Sequence, residues 1–182
     1  HLIEVTPRDL PGLQDTRGES IRSMLFTDHT LSVGKVKSIT GYQVKANLSS
    51  TELLDSLQNL FTDPIIELGT VNQSLLDDPV LFSDKPDLAI MIGFKPGVTD
   101  NAAQAALDGL LTLFPSHNDA LIATTMTYLF WDLPKDLDYK WLANTLHNPM
   151  IERAALATPD HCQEAIWPQL PFPDRPVVAF TT

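Results

Sequence analysis

One short phrase occurs twice in this chain, and its spacing constrains the fold more than any other feature. Pro11-Gly12-Leu13-Gln14-Asp15 is matched 85 positions later by Pro96-Gly97-Val98-Thr99-Asp100. At the same spacing, Asp63-Pro64-Ile65-Ile66-Glu67 is matched by Asn148-Pro149-Met150-Ile151-Glu152. Isolated Pro-Gly pairs are common in turns and coincide by chance. Two matches at one spacing instead favour an internal duplication with a unit of about 70 residues.

Weaker matches between the two phrases suggest that the spacing of 85 holds without a gap. Identical residues occur at Leu25/Leu110, Leu48/Leu133, Leu57/Leu142 and Asn59/Asn144, and apolar character is shared at Val5/Ile90, Val36/Leu121, Val44/Leu129 and Phe61/Leu146. We therefore expect a first unit over residues 1–72, a connector over 73–86 and a second unit over 87–157.

The first unit reads as β-α-β-β-α-β. A strand over Leu2–Val5 is followed by a helix capped by Asp15, whose carboxylate accepts from free backbone N–H groups. Residues 33–48 have a strand pattern that Gly41 interrupts, so one bent strand and two strands both remain open. Ser49 and Glu52 then form a capping box that starts a second helix, and a strand is expected to restart at Ile65-Ile66.

The second unit repeats this order with stronger signals. Residues 88–94 and 121–131 read as strands, and Asp100 caps a helix that includes Leu107 and Leu110 in its apolar stripe. A second helix over 134–146 is expected to turn Trp141 inward, and the closing strand to begin at Met150-Ile151. The predicted class is α+β, with tandem ferredoxin-like (β-α-β-β-α-β) units forming a pseudo-twofold dimer within one chain.

Composition and charge narrow the range of partners. The 182 residues carry a formal net charge of −11 with scattered basic residues, which argues against a nucleic-acid partner because such binding needs a basic face. No apolar run approaches the ~20 residues of a membrane span, so no membrane partner is expected. Cys162 is the only cysteine, which fits a reducing, cytoplasmic location.

Residues 158–182 are rich in proline, with Pro159, Pro168, Pro171, Pro173 and Pro176 within 18 residues. Such spacing favours an extended chain over a helix. We therefore expect a proline-rich linker toward a catalytic domain that is absent from this sequence.

Three phrases together resemble a known family. Lys95-Pro96-Gly97-Val98-Thr99-Asp100, the β-rich stretch after the following helix, and Asp63-Pro64-Ile65-Ile66-Glu67 are similar to the PurS small subunit of phosphoribosylformylglycinamidine synthase (FGAM synthase). Two such units followed by a proline-rich linker look like the PurS-like N-terminal region of single-chain forms of that enzyme. The chain departs from the family pattern at Leu10, where the lysine equivalent to Lys95 is missing, and at Thr40-Gly41-Tyr42, where many members have Gly-Lys-Tyr.

The resemblance implies a role in purine biosynthesis, within the ATP- and glutamine-dependent amidation of formylglycinamide ribonucleotide. In that enzyme a PurS-type unit is a non-catalytic bridge that supports assembly and ammonia transfer. The implied partners are the ATP-binding synthase domain and the glutaminase domain. ATP and Mg²⁺ belong to the complete enzyme, and no cofactor is expected on this chain.

The chain offers few residues for chemistry of its own. His161, Cys162 and Glu164 together resemble an activated thiolate, but they fall in the proline-rich linker. His29, His117 and His147 lack further ligands at metal-site spacing, and the paired acids Asp77-Asp78 suit a solvated turn. We therefore predict no catalytic, cofactor-binding or metal-binding residue.

Two other functions remain open alongside the bridging role. One is a ferredoxin-like regulatory module that binds a small molecule between its units. The other is an independent enzyme that uses His161 and Cys162.

Overall fold

The computed structural model describes residues 1–78, 84–158 and 168–174. In chain order its main elements are β1 Leu2–Pro7, α1 Thr16–His29, β2 Lys35–Lys45, α2 Ser50–Ser56 with a π-helical extension Leu57–Phe61, β3 Glu67–Val71, β4 Leu88–Phe94, α3 Asn101–Leu113, β5 Leu121–Trp131, α4 Tyr139–Leu146 and β6 Glu152–Ala157. A short 3₁₀ turn, Leu75–Asp77, lies in the connector between the halves.

The strands of the described residues form a six-stranded sheet in the order β3-β1-β2-β5-β4-β6, with every neighbouring pair antiparallel. Strands β2 and β5 pair from Lys35 opposite Trp131 to Lys45 opposite Leu121, so this central pair joins the two halves. The predicted α+β class is confirmed. The middle stretch of each half is one long strand, and each half therefore runs β-α-β-α-β within a shared sheet instead of forming a sheet of its own.

One face of the sheet carries all four helices, and its core has two parts. The first packs α2 and α3 onto β1 and β2, because strand alternation turns Ile3, Val5 and Val44 to that face. Leu53 and Phe61 from the first half meet Ala106 and Leu110 from the second in this cluster. The helix of the second half thus covers strands of the first.

In the second part of the core, a helix of the first half covers strands of the second half. Leu25 of α1 packs with Leu88 and Ile90 of β4, Phe130 of β5 and Leu142 of α4. Both Leu25 and Leu110 are fully buried. Each half of the chain therefore completes the apolar core of the other.

The opposite face of the sheet, here called the open face, is covered in two places by irregular chain. Leu75 and Leu76 of the connector pack on Ile39, Leu129 and Trp131. Near the other end, Leu170 of the proline-rich segment is buried. The rest of the predicted linker and the connector residues Val80, Leu81 and Phe82 lie outside the described residues.

Several helix starts follow the sequence signals. Asp15 and Asp100 cap α1 and α3, and Ser49 forms a capping box with Glu52 at the start of α2. The fourth helix was predicted from residue 134 but begins at Tyr139, because Asp138 caps it there. Trp141 was predicted to point inward and is instead 38% exposed, with its ring edge-on to His29 at 5.2 Å.

The ungapped spacing of 85 is wrong between the two shared phrases. Val36 is buried but Leu121, its partner at that spacing, is 46% exposed. The capping contacts instead match Ser38 with Thr124, a spacing of 86, because the loop before β5 is longer than the loop before β2. By these contacts Val36 matches Ile122, which packs on the helix-bearing face.

Candidate functional site

The loop Lys95–Asp100 lies where β4 leaves the sheet. The last β4–β5 pair joins Gly93 to Thr125, so Leu121 to Thr124 of β5 have no β4 neighbour. Asp100 fills part of this gap: its Oδ1 accepts from the Ala103 amide at 2.9 Å, and its Oδ2 accepts from the amide and hydroxyl of Thr124, each at 2.8 Å. One carboxylate thereby caps α3 and ties it to β5.

A cavity of about 610 Å³ lies beside this loop. Its walls come from the loop, the start of α3, the part of β5 that has no β4 neighbour, the start of β6 and the segment Phe172–Asp174. Lys95 and Arg153 supply positive charge, and Asp100 and Asp174 supply negative charge. Small-molecule sites have comparable volumes and a few convergent polar groups.

Three buried polar atoms on the cavity walls make no hydrogen bond within the described part of the chain. They are Thr125 Oγ1, Gln43 Oε1 and Arg153 Nε. Thr125 is only 5% exposed. Leaving such a group unsatisfied costs about 1–3 kcal/mol, so these atoms mark hydrogen-bonding capacity in the cavity walls that the described residues do not use.

In the corresponding place of the first half, the helix and the strand pack closely against each other. Asp15 makes the same set of contacts as Asp100, accepting from the amides of Gly18 and Ser38 and from the Ser38 hydroxyl at 2.9, 2.5 and 2.8 Å. Here α1 packs tightly on β2, since a β-carbon added at Gly18 would lie less than 3.0 Å from the Val36 carbonyl oxygen. Ala103 stands at that position in α3 and lines the cavity.

The second shared phrase forms the same locked turn in both halves. In the first half, the Asp63 amide donates to the Glu67 carboxylate at 2.9 Å, and the Ile65 amide donates to Asp63 Oδ1 at 2.9 Å. In the second half, the Asn148 amide donates to the Glu152 carboxylate at 2.7 Å, and the Met150 amide donates to Asn148 Oδ1 at 3.0 Å.

These turns expose apolar side chains that the sequence placed in strands. Ile65 and Met150 are 76% and 81% exposed, and Ile66 and Ile151 are 41% exposed each. The strands β3 and β6 begin only after them, at Glu67 and Glu152. The expected strand starts at Ile65-Ile66 and Met150-Ile151 are therefore wrong, because side-chain hydrogen bonds close the backbone into turns there.

The two shared phrases meet in space. The Arg8 amide donates to the Ile66 carbonyl at 2.8 Å, and the Lys95 amide donates to the Ile151 carbonyl at 2.9 Å. Lys95 also donates from Nζ to the Pro149 carbonyl. We call these places the first corner (Arg8, Ile65, Ile66) and the second corner (Lys95, Met150, Ile151).

The described part of the proline-rich segment lies across the open face. Gln43 donates to the Leu170 carbonyl at 2.6 Å and Arg153 donates to the Pro171 carbonyl. Lys45 pairs with Asp174 at 2.5 Å and lies over the Phe172 ring at 4.3 Å from its centroid. Two side chains of the sheet thus hold backbone carbonyls of this segment.

Glu4 is a buried acid elsewhere on the open face. It accepts from the Leu75 amide at 2.7 Å and from the Ser74 hydroxyl at 3.2 Å. Burial raises the pKa of the Glu4 carboxyl above its ordinary value, and these hydrogen bonds oppose that shift only in part. These contacts attach the connector to β1. This structural role accounts for a buried carboxylate at Glu4, and no catalytic role is needed.

The residues weighed for chemistry are not brought together. His117 pairs with Glu52 at 3.0 Å, His29 contacts Trp141, and His147 bonds the Ala143 carbonyl at 2.6 Å. Across the described ranges, no cluster of three or more His, Cys, Asp or Glu side chains could hold a metal. His161, Cys162 and Glu164 lie outside those ranges.

Comparisons with known proteins identify no relative: no family model matches the chain, and no curated protein is significantly similar to it. Among the residues that the structure describes, no helix has the length and apolar character needed to cross a membrane.

Proposed function

We propose that the chain is a non-catalytic bridging region of an ATP-dependent amidotransferase of the FGAM synthase type, which acts in purine biosynthesis in the cytoplasm. In this role it supports assembly of the synthase and glutaminase portions and passage of ammonia between them. ATP and Mg²⁺ act in the synthase portion and not on this chain. The proposal starts from the family resemblance of the repeated phrases.

The finer fold assignment belongs to the same proposal. The two halves are tandem units related to the ferredoxin-like pattern, with one long strand in place of its two middle strands, and they form a pseudo-twofold dimer about the centre of the β2–β5 pair, where Thr40 faces Met126. The observation that best supports this is that each half has the same element order, the same aspartate cap and the same locked turn. A rigid two-sided scaffold with these features suits bridging better than catalysis.

Reconstitution tests this function. The chain is mixed with a synthase portion that lacks its N-terminal region and with the glutaminase portion, and glutamine-dependent ADP release is measured. We expect the mixture to regain activity that neither catalytic portion shows alone, and the chain by itself to hydrolyse neither ATP nor glutamine. Restoration is expected to be partial, because a separated chain loses the effective concentration of a tether, which reaches about millimolar. Turnover by the isolated chain would contradict the non-catalytic role.

A small-molecule regulatory module is the second candidate, and the cavity beside Lys95–Asp100 favours it specifically. Its walls carry both charges and three unsatisfied polar atoms. A thermal-shift screen against amino acids and nucleotides tests this candidate. A true ligand should raise the Tm of the wild type but not that of Thr125→Val, which keeps the shape of the side chain and removes its hydroxyl. An equal rise in Tm for both proteins would show that the ligand binds outside this cavity.

A further inference from the structure

One part of the open face has a floor with little side-chain volume. Four residues lie side by side there on β2, β5, β4 and β6, namely Gly41, Thr125, Gly93 and Arg153. The Thr125 hydroxyl fills the space above Gly41, where an added β-carbon would clash with its oxygen. The space above Gly93 is filled by Leu170 instead, whose Cδ1 would lie 3.1 Å from an added β-carbon. We call this row of four residues the groove.

Residues 168–174, here called the strap, lie over the groove in neither helix nor strand. Of these seven residues, Pro168 and Leu170 are buried, and the others are half-buried or exposed. The hydrogen bonds that hold the strap come from the side chains of Gln43 and Arg153 and end on main-chain carbonyls. The groove therefore recognises one leucine side chain and the backbone of an extended chain.

The strap does not fill the space above the sheet. The cavity of about 610 Å³ described above lies against its residues 172–174. A second cavity of about 600 Å³ lies against Pro168 and Leu170, and Gln43 and Phe172 line both cavities. Protein cores contain few voids larger than a water molecule. The strap is therefore packed more loosely than a core segment.

The docked strap also leaves buried polar atoms without partners in the described part of the chain. Gln43 donates to the strap, but its Oε1 accepts no hydrogen bond, and Arg153 donates to the strap, but its Nε donates none. Water could reach both side chains if the strap left the groove. The unsatisfied groups oppose docking and the burial of Leu170 favours it, and the two effects are comparable in size. Docking is therefore expected to be reversible.

The composition of the strap suits it to binding as a separate peptide. Pro168, Pro171 and Pro173 restrict the unbound chain, because each proline ring fixes φ. An extended peptide with these residues loses little conformational entropy when it binds. A free peptide also keeps the leucine and the carbonyls that the groove contacts.

We propose that the groove is a docking site for an extended, leucine-bearing peptide, and that the strap is its resident, displaceable occupant. While the strap is docked, it blocks the groove, and a second peptide of the same chemistry binds only after the strap has left. This site is independent of the proposed bridging function, because every contact that defines it lies within this chain.

An NMR titration of the full chain with a capped peptide of the strap sequence, Pro-Gln-Leu-Pro-Phe-Pro-Asp, tests the proposal. Leu170→Asp should undock the strap, because a carboxylate buried above Gly93 would have no partner. In this variant the peptide should shift the amide signals of Gly41 and Gly93. The expected Kd is about 0.1 mM, which corresponds to a docking constant of about ten within the chain at an effective concentration of about 1 mM.

In the wild type, competition by the strap should raise the apparent Kd of the peptide about tenfold. A peptide with aspartate in place of its leucine is the matched control and should bind neither protein. Loss of a docking constant of about ten is a loss of about 1.4 kcal/mol. The Tm of Leu170→Asp should therefore lie about 3–6 °C below that of the wild type.

Each other outcome would overturn part of the proposal. If the peptide shifts neither glycine signal of Leu170→Asp well above the expected Kd, the groove is not a peptide site. If both proteins bind the peptide equally well, the strap does not occupy the groove in solution. If Leu170→Asp fails to fold, the strap is a fixed part of the core and is not displaceable. If sedimentation shows that the wild type self-associates and Leu170→Asp does not, the occupant is the strap of a second copy.

Discussion

The contacts of Asp15 and Asp100 are the same, but the space beside them differs. Beside Asp15, the missing side chain at Gly18 lets α1 come close to the backbone of β2. Beside Asp100, the methyl group of Ala103 occupies the matching position, and a cavity of about 610 Å³ remains next to it. The two halves therefore differ in the residue at this helix start, Gly18 in the first and Ala103 in the second, while the hydrogen bonds of the capping aspartates match.

The largest effect should come from separating the halves. A fragment of residues 1–78 is expected to be unfolded at 25 °C, because Leu25 packs on strands and a helix of the second half. Circular dichroism and urea titration of the fragment are the measurements. A monomeric fragment with a cooperative unfolding transition would show that the first half has a core of its own.

Truncation of the two matching core leucines should be nearly as severe. Leu25→Ala and Leu110→Ala each remove a fully buried side chain, and each should lower the free energy of unfolding by about 2–5 kcal/mol. Leu107, which the sequence also placed inside, is only partly buried against the core, so Leu107→Ala should cost less than Leu110→Ala. Chemical denaturation of the three variants checks the order, and an equal loss at Leu107 would contradict the observed packing.

Gly18, where α1 approaches the backbone of β2 closely, provides the next test. Gly18→Ala should lower the free energy of unfolding by about 1–3 kcal/mol, as overpacking does, because the new β-carbon meets the Val36 backbone. Gly109→Ala is the matched control inside α3, where the added carbon meets the flexible end of Leu60. That change should be neutral or stabilise by up to about 1 kcal/mol. Equal losses of unfolding free energy in both variants would show that the close contact at Gly18 has no special effect on stability.

The smallest effect concerns the contact between Glu52 of α2 and His117 of the loop after α3. No matching ion pair is described between α4 and the loop after α1. Hydrogen bonds from His117 and Ser49 lower the pKa of Glu52 to about 2 from an ordinary value of 4.5. Since the folded-state pKa is depressed, the stabilisation is present above pH 4.5 and is lost as the pH falls toward 2. The Tm difference between wild type and Glu52→Gln should shrink over that window, and a difference that persists at pH 2 would argue against this cause.

Most of the local structure could be predicted from the sequence. Strands β4 and β5 have the bounds that their apolar runs predicted, and the caps at Asp15, Ser49 and Asp100 depend on side-chain chemistry within a few residues. The exposed turns were missed because Ile65-Ile66 and Met150-Ile151 look like strand residues, whereas hydrogen bonds within residues 63–67 and 148–152 close the backbone there. Trp141 was missed because its exposure depends on where α4 packs.

The candidate site was less accessible to sequence reasoning. The phrase Lys95–Asp100 was recognised, but as a repeat and a turn, with no cavity beside it. The cavity depends on how closely a helix approaches a strand, which is set by tertiary contacts at Ala103 and by the segment around Leu170. Gln43, Thr125 and Arg153 come from three different strands and show no spacing that would have linked them.

The exchange of helices between the halves has a consequence for synthesis on the ribosome. When β2 has emerged, its β5-facing edge is unpaired and the apolar side of α1 is uncovered. The partners that cover them, β5 and α4, follow only after roughly 100 more residues, which takes about 5–20 s at ordinary translation rates. During that interval the nascent chain exposes both an open strand edge and a leucine-bearing helix, the features that chaperones shield and that otherwise lead to aggregation.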